Sequence, residues 1–284
     1  MNRLAAAIAI CPFAFLAANA AHAAEKKLDR AFTVSPGGTL TVDADSATVR
    51  VSGVDSSQVT VHMSARGPEK DLADMKFEAA QAGNGVNVTL RRHEKGGWFS
   101  WRSWSGEQRI EVTVPRQYSV NVRTGGGAIE LQDTTGSAIL KTSGGDIAAK
   151  NINGNVELRT SGGGIVADAI RGDVEADTSG GDVRVLRVDG KINADTSGGN
   201  VRVSLVGANR GIRATTSGGD IEVIVPRGTT GHVEATTSGG GISSSLPLTA
   251  STQKDGHLEG SLNGGGAPIY AHTSGGGISL RQEN

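Results

Sequence analysis

The chain of 284 residues holds one cysteine, Cys11, only seven prolines, and few aromatic residues, 4% in all. Each shortage excludes something. Cys11 lies in an apolar segment at the start, in the context Ala-Ile-Cys-Pro, which does not resemble a lipoprotein processing site. Beyond it no disulfide can form and no thiol chemistry is available, so stability must come from a packed core. There is no basic excess either: 28 Lys and Arg stand against 29 Asp and Glu. A nucleic-acid binder would carry a basic stripe, so nucleic acid is not an expected partner. His62, His93, His232, His257 and His272 show no paired ligand spacing, and no G-x-S-x-G nucleophile elbow is present. No cofactor, metal ligand or catalytic residue is assigned.

What the chain has in quantity is glycine, 42 residues, without a G-X-Y period and within a chain that is 37% hydrophobic. That combination points to an ordered fold with many tight turns.

The opening, MNRLAAAIAICPFAFLAANAAHAAEKK, has one positive charge, Arg3, before an apolar run from Leu4 to about Ala18. Ala21-His22-Ala23 fits an A-x-A cleavage site. Residues 1–23 therefore read as a secretory signal peptide. The run is short for a bilayer span, so no transmembrane segment is expected in the mature chain. Losing Arg3 takes the net charge from −1 to −2. The expected location is exported, periplasmic or extracellular.

The rest is dominated by Thr-Ser-Gly-Gly, which occurs seven times. Thr124, Thr142, Thr160, Thr178 and Thr196 fall 18 residues apart; Thr216 follows after 20, Thr237 after 21 and Thr273 after 36. With Thr as position 1, position 6 is always Ile or Val, as in Ile147, Ile165, Val183 and Val201. Position 8 is usually apolar (Val185, Val203, Val223), as is position 11 (Ile152, Ile170, Val188). Gly136, Gly154, Gly172 and Gly190 stand at position 13. Positions 15 and 17 alternate apolar residues with polar ones. This period of two gives each unit two half-buried strands. Eighteen extended residues span about 60 Å, enough for two sides and two corners around a sheet gap of about 10 Å. The expected fold is all-β: a right-handed parallel β-solenoid (β-helix) with coils of about 18 residues. An antiparallel meander closed as a membrane barrel is the rival, but the aromatic girdles such barrels carry are missing.

Several local expectations follow. Gly-Gly is expected to supply positive φ at one corner. The stretch VRVSGVDSSQVTV, with Val49, Val51, Val54, Val59 and Val61, reads as one more coil with an extra corner residue. Residues 24–38 form a leader and 39–284 a single solenoid domain. Insertions interrupt it near 64–83, where a short helix is expected, and at 91–107. Residues 248–266 read as a looser, longer coil.

The leader segment FTVSPGGTLTVDADSATVRVSG, the junction EVTVPRQYSVNVRTGGGAIEL, the TSGGDI series and the closing SLNGGGAPIYAHTSGGGISL together resemble a bacterial family of putative adhesins, a domain of uncharacterised function. The resemblance covers about Phe32 to Leu280. It implies an exported β-solenoid and carries no catalytic residues or ligand with it.

Two groups of residues invite a functional reading. The first is the insertion WFSWRSW, where Trp98, Phe99, Trp101, Arg102 and Trp104 put aromatic rings beside a cation. Such rings stack on sugars, engage proteins or rest at a membrane interface; alternatively they fold back over a sheet edge. The second is a carboxylate ladder, Asp177, Asp182 and Asp195. Stacked coils bring equivalent residues to about 5 Å, a distance compatible with paired acid and base groups or calcium ligands. Solvated corner residues are the plainer reading, since Asp favours turns. The leading expectation is a non-enzymatic, adhesin-like structural or binding module of the cell envelope, its partner an unidentified envelope protein or polysaccharide. The alternative is a polysaccharide-acting enzyme, a lyase or hydrolase, working through the Asp ladder.

Overall fold

Alternation along each repeat sets the architecture. In the strand Val183–Asp189, Val183, Val185 and Val188 are fully buried while Arg184 and Arg187 face outward. Val183 pairs in parallel with Ile165 on one side and Val201 on the other. The next strand, Ile192–Asp195, lies in the opposite sheet, with Ile192 between Val174 and Ile212. Successive repeat strands thus alternate between two sheets, and each repeat stacks on the one before. The computed structural model describes residues 24–92 and 106–283. Among these, twelve strands form one sheet, thirteen the other, and Glu69–Ala73 is the one helix. The sheets enclose a continuous apolar cluster running from Val34 to Leu280.

Strict alternation cannot put both Val185 and Val188 inside, because they are an odd number of residues apart. One residue of left-handed backbone resets the parity in four successive repeats: Asp133 (φ 60°), Asn151 (56°), Ala169 (57°) and Arg187 (51°). Asn and Asp accept this conformation; for Ala and Arg it costs about 1 kcal/mol. Asn151 also reaches the side chain of Asp133 one repeat away, at 3.0 Å. Ala169→Asn is therefore expected to raise stability by up to about 1 kcal/mol. A melting temperature that stays level or falls would contradict this.

The Thr-Ser-Gly-Gly corner works differently from the expectation. Positive φ occurs at the opposite corner, at Gly136, Gly154 and Gly172 (142°, 153° and 149°), and not at Gly180 or Gly181. Gly181 is required by proximity instead: a Cβ there would sit 2.2 Å from the carbonyl oxygen of Gly163 in the preceding coil. The same near-collision recurs at Gly145, Gly163, Gly199 and Gly219. The neighbouring Gly180 is roomier, with its closest atom at 3.3 Å.

Threonine accounts for the rest of the motif. The Thr178 hydroxyl donates to the Gly163 carbonyl of the previous coil at 2.8 Å, and Thr160 does the same to Gly145 at 2.9 Å. Most of these Thr also accept an N–H within their own corner, as from Gly163 to Thr160 at 3.3 Å and from Gly240 to Thr237 at 3.1 Å. The hydroxyls are buried, so both bonds matter. From Thr142 onward each coil is thus tied to its neighbour in the stack through a Thr-to-Gly bond.

The order of coils along the stack departs from their order in the chain at both ends. The strands Gly38–Ala44 and Thr48–Val54 pair directly with the repeats, at Tyr118–Thr124 and Ile129–Gln132. The strands Gly85–Arg92 and Glu107–Pro115 pair on their other side. Val59 and Val61 do not complete a coil with Val49 and Val51, as their spacing suggested. Their strand, Gln58–Gly67, returns in the same sheet, antiparallel to Glu107–Pro115. Asp55–Ser57 reverse the chain where a coil would have crossed to the other sheet. Ala24–Thr33 forms the sheet edge beyond it, also antiparallel. The insertion at 64–83 holds the helix and then the strand Met75–Ala82, an edge of the second sheet.

At the other end, residues 248–266 are not a loose coil. Leu248–Lys254 and His257–Leu262 form an antiparallel hairpin laid on Gly231–Thr237. The last coil, Pro268–Thr273 with Ile278–Gln282, then enters the stack between two earlier coils. It pairs with Ile212–Thr216 and Ile221–Val225 on one side, and with Gly231–Thr237 and Ile242–Ser244 on the other.

Candidate functional site

The outer face of the second sheet carries the carboxylates. Asp177 and Asp195 end equivalent strands, Val174–Asp177 and Ile192–Asp195, and are direct neighbours across the ladder. Asp182 is not with them. It lies around the Gly-Gly corner, where its carboxylate accepts the Asn200 N–H at 2.9 Å and pairs with Arg184 at 2.8 Å. Asp146 caps Gly164 in the same way at 2.7 Å, and Asn200 caps Asp220 at 2.8 Å. This corner column therefore holds the next coil's backbone, and the structure gives Asp182 a structural job.

Asp177 and Asp195 share their face with a chain of ion pairs. Lys141 reaches Glu157 at 2.7 Å, and Arg159 bridges Glu157 at 2.9 Å and Glu175 at 2.6 Å, with Asp177 at 3.5 Å. Lys141 beside Glu157 holds that carboxyl below the usual range. Asp177 and Asp195 move the other way. Partial burial raises both; Arg159 opposes the rise at Asp177 and Arg213 opposes it at Asp195. Thr215 donates its hydroxyl to Asp195. Among the described residues no group of three His, Cys, Asp or Glu side chains is placed to hold a metal ion. A shallow groove of about 390 Å³ runs beside the row, lined by Ser137, Asn155, Glu157, Asp173, Glu175 and Lys191 among others.

A raised carboxyl binds its proton more tightly in the folded state than in the unfolded chain. The favourable term is complete below the unfolded value near 3.8 and disappears as pH climbs through the native value. Asp195→Asn, which can still accept from Thr215, is expected to raise the melting temperature at pH 7. The gain should shrink to nothing by pH 3. A gain that is the same at both pH values would show that charge is not the cause.

Further along this face lies a group that sequence spacing did not reveal. Arg213 stands over the Tyr270 ring at 4.9 Å, and the Tyr270 and His272 rings lie 6.4 Å apart. They meet because the last coil is inserted beside Ile212–Thr216. The repeat puts Thr216 and Thr273, and so Arg213 and Tyr270, at equivalent positions in their coils, but only the structure makes those two coils neighbours.

Trp98, Phe99, Trp101, Arg102 and Trp104 lie outside the described residues, but the ends of their segment do not. In the coil paired with it, three residues, Asp45 to Ala47, join Gly38–Ala44 to Thr48–Val54. The corresponding link between Gly85–Arg92 and Glu107–Pro115 is fourteen residues long. The chain enters this link at the corner where other coils make their Thr-Gly turn. Its base is clamped: Arg91 pairs with Asp43 at 2.5 Å and Asp45 at 2.6 Å, and Asp45 accepts the Arg92 N–H at 2.8 Å.

A two-sheet, all-β stack of parallel coils, tied by corner threonines, defines the class. The chain belongs to the Toastrack DUF4097 family, whose model matches residues 38–281. No curated protein matches it in sequence. Among solved structures it is similar to a protein described as a putative adhesin from Bacteroides fragilis, at 12% identity and a TM-score of 0.51, covering 91% of this chain and 97% of that one. It also aligns with a putative lipid binding protein from Parabacteroides distasonis, at 13% identity, a TM-score of 0.31, and 91% and 97% of the two chains. The first of these likenesses speaks for the fold alone. Among the described residues no helix is long and apolar enough to cross a membrane.

Proposed function

We propose that this protein is an exported, non-enzymatic binding module of the cell envelope, adhesin-like in kind. It is built as a right-handed solenoid of about 18-residue coils, the hand that parallel crossovers favour. Residues 1–23 direct it out of the cytoplasm, to the periplasm or beyond. The observation that carries the reading is the clamped insertion. A fourteen-residue link holding all three tryptophans of the chain replaces a three-residue corner, and three charge-assisted contacts fix its base. Long loops on rigid scaffolds are where contact residues concentrate. Trp98, Phe99, Trp101, Arg102 and Trp104 supply the contact, and an envelope protein or polysaccharide is the partner.

Trp98→Ala combined with Trp101→Ala is expected to abolish association with isolated envelope material while shifting the melting temperature by less than about 2 °C, as surface substitutions do. A large drop in melting temperature with association intact would place the rings in the core and end the reading. The enzyme alternative draws on the adjacency of Asp177 and Asp195 and their raised carboxyls. Turnover of an acidic glycan that is lost in Asp177→Asn would establish it instead.

A further inference from the structure

The last coil of the chain is an interior coil of the stack. Ile269, Ala271, Ile278 and Leu280 are at most 2% exposed, and both flanks are parallel ladders. The walls of the slot are therefore the coil 212–225 and the coil 231–244. Each wall uses the same fastening. Thr273 donates to Gly219 at 2.8 Å, and Thr237 donates to Gly276 at 2.7 Å. The segment that fills the slot hangs on one short connection, Asn263-Gly-Gly-Gly-Ala267. Its first four residues all have positive φ: 48°, 90°, 88° and 143°. Three of the four are glycine, so this connection re-forms at little steric cost when its direction changes.

We propose that the slot is an exchange site whose second occupant is residues 268–282 of another copy of the same chain. The contacts the segment makes inside the slot are with residues upstream of it: backbone ladders, apolar side chains, Thr-Gly bonds, the Arg213–Tyr270 contact, the Arg281–Glu222 ion pair and the bond from Gly277 N–H to Asp220. None depends on which copy supplies it. The contacts made within one chain and between two are then the same, and the choice rests on the connection and on protein concentration. The interior position makes the exchanged state slow to revert: leaving the slot breaks two ladders at once.

The test uses the full chain carrying Cys11→Ser, so that introduced cysteines are the only thiols. Thr215 and His272 are register partners across one wall. Glu222 and Ser279 are partners across the same wall in the other sheet. One copy carries Thr215→Cys and an enlarging tag; the other carries His272→Cys. They are unfolded together, refolded at high concentration and treated with a short bis-maleimide. The expected product is a tagged heterodimer, linked between these two positions. It should be absent when the copies are refolded apart and mixed afterwards. The Glu222→Cys and Ser279→Cys pair should give the same result. In parallel, the chain without introduced cysteines should yield a dimer on size-exclusion chromatography after concentrated refolding, one that persists on dilution. Deleting Gly264 and Gly265 should turn this dimer from a minor to the major species, since a shortened connection favours the partner's slot. A refolded chain that is only ever monomeric, and whose co-refolded variants give no tagged heterodimer, overturns the proposal. So does a dimer whose cross-links never join the two register positions.

Discussion

Gly181→Ala is expected to destabilise the protein by about 3 kcal/mol or more, while Gly180→Ala, one residue away, costs about 1 kcal/mol or less. Both residues belong to the same exposed corner, and neither has a positive φ. The difference is distance to the coil beneath. A methyl at 181 would meet three backbone atoms, Gly163 O at 2.2 Å, Gly163 C at 2.4 Å and Gly164 N at 2.6 Å. Backbone in a paired stack cannot yield without opening the ladder. A methyl at 180 meets Gly162 O at 3.3 Å, which a small local shift relieves. Urea unfolding of the two variants measures the contrast. Equal losses would mean that the corner tolerates separation of the coils, and would remove the explanation given for the repeated motif.

Val183→Asp is expected to abolish the folded state, with Arg184→Ala nearly neutral. Val183 is 0% exposed between Ile165 and Val201. A carboxylate there finds no partner among stacked aliphatic side chains, and an unpaired buried charge costs several kcal/mol, comparable to the whole stability of many domains. Arg184 is its outward neighbour and holds one exposed ion pair, to Asp182 at 2.8 Å. Such pairs contribute about 0–1 kcal/mol. Circular dichroism and a thermal melt suffice. If both variants melt alike, the inward and outward faces are assigned the wrong way round.

These two substitutions mark how far the sequence could be read. The face that Val183, Val185 and Val188 present to the core was legible, because period-two alternation is a local property. The odd spacing of position 11 was visible too. Its cause, one left-handed residue at Ala169 or Arg187, was not, since neither residue type advertises that conformation. The glycines were legible as corners. Their reason was hidden because it depends on the distance to another coil and not on the residue's own torsion angles. The order of coils was hidden for a related reason. All the repeats carry nearly the same pattern, so Val233, Ile269 and Ile212 are interchangeable in a pairing argument. The 36-residue gap before Thr273 signalled an interruption and said nothing of where the chain would return. The Asp177 and Asp195 row followed from the 18-residue spacing. The separation of Asp182 from it, and the meeting of Arg213 with Tyr270, required the corner and the inserted coil to be seen.

The inserted last coil also bears on how this protein is made. A simple stack can be completed layer by layer as it leaves the ribosome, each coil settling on the one already formed. Here the layer between residues 212–225 and 231–244 is supplied by residues 268–282, which are synthesised after both of its walls. This part of the fold cannot close in the order in which its coils are made. It waits, with two parallel edges exposed, until residues 268–282 have emerged.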